Sequence, residues 1–184
     1  MNTSTRAGFT LVEMIVSVGL FAIVMLVTMT GYLALVNLER KARTTNDLVT
    51  NLTFVLDTMS RSMRTGTNFQ CNGGGNCWLS PGESFTFVND QNQIVTYRYD
   101  TTHHSIGQCV GGGACTDTTD SVLVDPRVTI PTGGLKFYVD GTSKGDSMQP
   151  HVTMTVKGTL TPDAVTGPVS FTIQTSASQR LLDI

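Results

Sequence analysis

The chain has 184 residues, one domain or one domain with an appendage, and only 14% of them are charged, against roughly 25% in ordinary soluble proteins. Twelve Lys and Arg against fourteen Asp and Glu leave a net charge of -2, which disfavours a basic nucleic-acid-binding protein. The apolar residues, 40% of the total, are concentrated in the first forty positions, and a Gly- and Thr-rich body follows.

A short polar leader, residues 1–8, carries one cation, Arg6. Phe9, Thr10, Leu11 and Val12 follow, then a single carboxylate, Glu13. From Met14 to Leu38 there is neither a charge nor a proline. A helix over that stretch would span ~37 Å, enough to cross a hydrocarbon core of ~30 Å. A cleaved secretory signal is disfavoured, because its apolar run is shorter and ends in a small-residue cleavage site. Glu13 is the residue to explain. A carboxylate at membrane depth is costly unless it is paired or wet at the interface. No Lys or Arg lies between Gly8 and Glu39 to pair with it. Cleavage after Gly8 would create a cation, the α-amine of Phe9, one helical turn away. In a staggered array the amine of one copy could meet Glu13 of the next.

The order Gly8-Phe9-Thr10-Leu11-Val12-Glu13 before an apolar run resembles the prepilin signature of type IV pilins and type II secretion pseudopilins. The resemblance covers about the first 35 residues. It implies that a prepilin peptidase cuts Gly8–Phe9, that Phe9 is N-methylated, and that Glu13 is the carboxylate required for filament assembly. It further implies membrane lipid as the surroundings before assembly, with an inner-membrane assembly platform and other pilin or pseudopilin subunits as partners. The leader would be cytoplasmic, the body extracytoplasmic, and the final location a cell-surface or periplasmic filament. Arg40, Lys41 and Arg43 beyond the run outnumber Arg6 before it, so the positive-inside rule alone points the other way. Many major pilins carry a proline late in the run. Here Thr28 and Thr30 stand in that neighbourhood, with Gly19 and Gly31 as weak points, and the first proline is Pro81. This favours a minor subunit, similar to J-type minor pseudopilins in having a strand near Val95–Asp100 followed by Ser105–Cys109. The alternative is a tip adhesin or DNA-uptake subunit on a pilin stem.

No Gly or Pro occurs from Tyr32 to Thr65. Leu48, Leu52, Val55, Leu56, Met59 and Met63 recur at spacings of three and four, a helical stripe suited to core packing. Asp47, Asn51, Asp57, Arg61 and Arg64 lie largely off it. One continuous helix from about Phe9 to Thr65 is therefore expected, its segment 9–38 membrane-spanning and 39–65 amphipathic. The Asn51-Leu52-Thr53 sequon falls inside that helix and carries no functional weight.

From Gly66 to the end the period changes to two. Ser84–Val88 and Gln93–Tyr99, joined by Asn89-Asp90-Gln91-Asn92, read as a hairpin. Ser121–Val124, Leu135–Val139, Val152–Lys157 and Val169–Thr175 are further strands, punctuated by Gly and Pro. The expected fold class is α+β: a long helix whose second half packs on one antiparallel sheet in a head of residues 66–184. Beyond Thr65 there are six Lys and Arg against ten Asp and Glu, so no general nucleic-acid binding is expected.

Cys71-Asn-Gly-Gly-Gly-Asn-Cys77 and Cys109-Val-Gly-Gly-Gly-Ala-Cys115 share the pattern C-x-G-G-G-x-C. Two small disulfide loops, disulfides between the two units, and a four-thiolate zinc site all use these residues. The even count in an exported domain favours disulfides, and five residues between paired cysteines suits zinc poorly. Four cysteines leave three connectivities open. Asp140-Gly-Thr-Ser-Lys-Gly-Asp146 departs from the EF-hand pattern and reads as a turn. His103, His104 and His151 read as surface histidines, without Cys, Asp or Glu at metal-ligand spacing. Trp78 is either a contact residue or a local plug. With no nucleophile elbow, P-loop or dinucleotide fingerprint, neither an enzyme nor a bound cofactor or metal is expected.

Overall fold

The structure, a computed structural model, describes residues 8–112, 115, 120–143, 148–161 and 167–180. The chain divides into two compact units, Met1–Arg43 and Thr44–Ile184. Helix α1 (Leu11–Thr65) supplies all the secondary structure of the first and opens the second. It begins two residues later than periodicity suggests. Thr10 stands outside as its cap, accepting the Glu13 N–H on Oγ1 at 3.3 Å and the Met14 N–H on its carbonyl at 3.2 Å. The helix is unbroken through Gly19 and Gly31.

In the second unit the helical stripe is buried as its spacing requires. Leu48, Leu52, Leu56, Met59 and Met63 are each at most 3% exposed. The exposed face carries the ion pair Arg61–Asp57 at 2.8 Å. Gly66 follows the last turn at a place with no room for a side chain: a Cβ there would lie 2.3 Å from the Phe87 ring.

The strands are β1 (Thr67–Cys71), β2 (Ser84–Val88), β3 (Ile94–Asp100), β4 (Ser105–Val110), β5 (Ser121–Val122), β6 (Val128–Thr129), β7 (Leu135–Asp140), β8 (His151–Leu160) and β9 (Val169–Ser178). They form two antiparallel sheets where the sequence suggests one. The first has the order β1-β2-β3-β4-β5. In the second, β9 runs along the whole of one edge of β8, while β7 and β6 share the other. The sheets meet at the bridge between Gly82 and Phe137, whose N–H groups donate to each other's carbonyls at 2.9 and 2.8 Å. Phe85 stacks on Phe137 across this junction, with ring centroids 5.6 Å apart.

The hairpin of β2 and β3 turns at Asn89–Asn92 as its polar run indicates, with the Asn89 N–H donating to the Gln93 carbonyl at 2.9 Å. β5 ends at Val122, the Leu123 N–H still donates to the Ile106 carbonyl at 3.0 Å, and Val124 turns into the core. β1 and β6 escape the period-two reading. β1 is bulged between Thr67 and Gln70, with Asn68 at positive φ, which breaks its alternation. β6 has only two residues.

Candidate functional site

The first candidate is the helix start. Thr10-Leu11-Val12-Glu13 has the spacing of a capping box, and the Thr10 hydroxyl takes the Glu13 N–H as that motif dictates. Glu13 therefore sits in the first turn, where the aligned peptide dipoles favour negative charge. Its side chain is exposed, and so is that of Phe9, at 79%. Phe9 and Gly8 precede Glu13 by four and five positions, just before the first helical turn.

Beyond Glu13, every residue from Gly8 to Leu35 is exposed, although nearly all are apolar. The Ser and Thr hydroxyls within the run are satisfied inside the helix. Ser17 donates to the Glu13 carbonyl at 2.7 Å, Thr28 to the Val24 carbonyl at 3.0 Å, and Thr30 to the Val27 carbonyl at 2.9 Å. A helix whose backbone and Ser and Thr hydroxyls are self-satisfied can face lipid without leaving those polar groups unmet. Its length and composition suffice to cross a membrane. Arg43 pairs with Glu39 just past the run.

The cysteines form two local disulfides, Cys71–Cys77 and Cys109–Cys115, with Cα atoms 6.0 and 5.7 Å apart. Cys71 and Gly74 exchange both backbone hydrogen bonds at 2.8 Å around Asn72 and Gly73, both at positive φ. That is the tight hairpin turn that Asn-Gly favours. The Asn72 carboxamide oxygen then accepts the N–H groups of Glu83 and Ser84, at 3.2 and 3.1 Å. The Cys77 N–H donates to the Val139 carbonyl at 2.8 Å. This disulfide thus fastens β1 of one sheet to β7 of the other. The second lies at the end of β4, where Gly111 and Gly112 take positive φ and the Gly111 N–H donates to Ile94 at 2.8 Å. Equal sequence patterns therefore hold different parts of the fold. Asp120 is near the second disulfide, but bonded sulfurs are not thiolate ligands, and Asp120 pairs with Arg98.

The histidines need a correction. His103 does have a carboxylate at close spacing: buried Asp100 meets its Nδ1 at 2.7 Å. Asp100 also accepts the N–H groups of Thr102 and His103, at 2.8 and 2.9 Å. His104 Nδ1 bonds the Tyr99 hydroxyl at 2.8 Å. These contacts build the β3–β4 turn. Burial pushes the Asp100 carboxyl up, but the hydrogen bonds from His103 and Thr102 outweigh it and hold the group below its ordinary value of 3.8. The carboxylate's stabilisation is therefore complete above that value and is lost as pH falls through the lowered one. Asp100→Asn is expected to cost about 1–3 kcal/mol at pH 7. In thermal unfolding, the gap to the unsubstituted chain is expected to close towards pH 2.

Other singled-out residues are structural. The Asn51 side-chain oxygen accepts the Asp125 N–H at 3.4 Å. Trp78 packs edge-on to Tyr138, centroids 6.0 Å apart, and stays half exposed. The Gly141 N–H donates to Asp140 Oδ1 at 2.9 Å in a positive-φ turn, while Lys144, Gly145 and Asp146 lie outside the described residues. Arg6 and the rest of the leader before Gly8 do so too.

With this geometry in place, comparison with known families gives a match over residues 3–29 to the prokaryotic N-terminal methylation motif. No curated protein and no solved structure matches the chain.

Proposed function

We propose, from the premise that this chain is a type IV pilin-like protein, that it is a minor structural subunit of a pilus or secretion pseudopilus. In this reading residues 1–8 are the leader, and prepilin peptidase cuts Gly8–Phe9. Phe9 is then N-methylated, 9–38 is the membrane and later filament-core segment, 39–65 continues the helix, and 66–184 is the head. The head is extracytoplasmic and the leader cytoplasmic. The subunit is handed from lipid to neighbouring subunits at the inner-membrane assembly platform. The observation that carries this is the uncharged helix stretch, exposed up to Leu35, which follows one carboxylate in the first turn, five residues past the motif glycine. Such a helix has a large apolar surface to cover and a single charge to neutralise. Lipid and a bundle of like helices both satisfy the first need, and a neighbour's Phe9 amine satisfies the second.

The test is unreduced intact-mass and N-terminal peptide mass spectrometry of the protein from its native envelope. The expected species starts at N-methylated Phe9 and is four hydrogens lighter than its reduced form. Those two marks report processing and an oxidising, extracytoplasmic compartment together. A chain still starting at Met1 with four free thiols would overturn the proposal.

A further inference from the structure

We propose that the outer edge of β9, together with the groove between it and the last turns of α1, binds an extended acidic peptide segment as an added strand. This does not depend on the N-terminal reading.

The first observation is the edge. Among the described residues β9 pairs only with β8, and no described strand meets the backbone groups along the other side of this ten-residue strand. Native sheets blunt such edges with charges, prolines, bulges or shortness. β9, VSFTIQTSAS, has no charge and no proline. Its register with β8 is unbroken from Leu160↔Val169 to His151↔Ser178. The other sheet's edges are blunted: β1 is bulged and β5 has two residues. β9 also alternates. Val169, Phe171 and Ile173 pack half-buried against the core, while Ser170, Thr172 and Gln174 are exposed. An added strand would find an apolar row on one face and a hydroxyl and amide row on the other.

The second observation is charge. A groove of about 300 Å³ lies between Leu56, Asp57, Ser60 and Arg64 of α1 and Ile173–Thr175 of β9, its one carboxylate, Asp57, being held by Arg61. Near the strand's end a space of about 800 Å³ is lined by Arg61, Arg64, Arg180, Ser176 and Ser178. Three other head cations face carboxylates, Arg98 with Asp120, Arg127 with Asp125 and Lys136 with Glu83, while Lys157 is exposed on β8 away from the groove. Arg61 faces Asp57. Arg64 and Arg180 are joined through backbone, the Arg180 N–H donating to the Arg64 carbonyl at 2.8 Å, and no described carboxylate meets either guanidinium. Two guanidiniums that meet no described carboxylate, beside a strand edge that meets no described strand, match an extended chain bearing carboxylates. Backbone hydrogen bonds would supply affinity, and forked N–H groups would select acid. A second copy's β9 lacks a carboxylate and does not fit. Nucleic acid lacks the amide ladder.

The test uses the full chain in detergent micelles and a fluorescein-labelled ten-residue peptide of alternating Val and Thr ending in two Glu, read by anisotropy. Saturable binding is expected, weakened several-fold by Arg64→Gln or Arg180→Gln and more than tenfold by both. Lys157→Gln, an exposed cation outside the groove, is expected to leave it unchanged. Peptide N-methylated on one set of alternate amides is expected to lose binding, and on the other set to keep it. No binding, equal binding after either N-methylation, or equal binding of a Gln-ended peptide would each overturn the proposal. Thermal unfolding of each variant establishes that the head is intact.

Discussion

Glu13→Ala is expected to leave processing at Gly8–Phe9 largely intact while removing the subunit from filaments. The reasoning starts from what assembly exchanges. In a membrane the helix from Leu11 to Leu38 would touch lipid, and in a filament it would touch other helices. These surroundings are similarly apolar, so the exchange has little hydrophobic driving force of its own. Charge then decides. The proposed Phe9 amine is a cation at the start of an apolar helix, and between Gly8 and Glu39 the only ionisable carboxylate is Glu13. Alanine would leave each buried amine without a counter-charge. Removing one partner of a buried charged pair typically costs ~2–5 kcal/mol, or at least about thirty-fold in association. The loss of the first-turn dipole interaction, ~0.3–1 kcal/mol, is the smaller effect. The measurement is the ratio of subunit in sheared filaments to subunit in membranes, with N-terminal mass read on both fractions. Glu13→Gln isolates the charge, because it keeps length and hydrogen bonding, and it is expected to lose incorporation as Glu13→Ala does. Incorporation of Glu13→Ala at the unsubstituted level would remove the assembly role assigned to Glu13.

How far the sequence revealed this protein depends on the range of each interaction. The helix start was legible because its determinants are adjacent: Thr10 caps, Glu13 follows three residues later, and apolar residues run on without a charge. The stripe from Leu48 to Met63 was legible because helical period is local. The hairpin at Asn89–Asn92 was legible for the same reason. What escaped depends on distant partners. Two sheets rather than one follow from Gly82 meeting Phe137, and no local pattern announces that contact. Gly82 does carry a trace of it: a Cβ there would lie 2.5 Å from Cys71 Sγ. The role of Asp100 escaped differently. Asp100 stands at no metal-ligand pattern; Asp followed by N–H donors two and three residues on is the signature of a side-chain-capped turn. Among the cysteine connectivities the local one is seen, with Asn72-Gly73 turning the chain inside the first loop. The open edge of β9 was not legible, because edge position is a property of the sheet order and not of the strand.

Phe137→Ala is expected to be the most damaging single truncation in the head. Phe137 is fully buried on β7 and is the residue at which the two sheets meet. Its ring stacks on Phe85 at 5.6 Å, and Phe85 in turn packs against Phe69 and Phe87, at 5.2 and 5.6 Å. Truncation therefore removes the one ring of this cluster that comes from the second sheet. The backbone bridge to Gly82 and the Cys77 contact to Val139 survive, so the sheets stay tethered and a cavity remains between them. That geometry argues against easy collapse, which places the cost towards the upper part of the ~3–5 kcal/mol usual for buried Phe→Ala. A head of this size holds only about 5–15 kcal/mol in total. The expected fall in Tm is roughly 6–20 °C for the full chain in detergent micelles, with both disulfides oxidised. Phe54→Ala is the matched control: the same truncation on the solvent face of α1, where the ring is 70% exposed. It is expected to change Tm by at most about 2 °C, since surface substitutions usually stay within ~0.5 kcal/mol. Equal effects of the two would mean that the Phe85–Phe137 stack does not hold the sheets together.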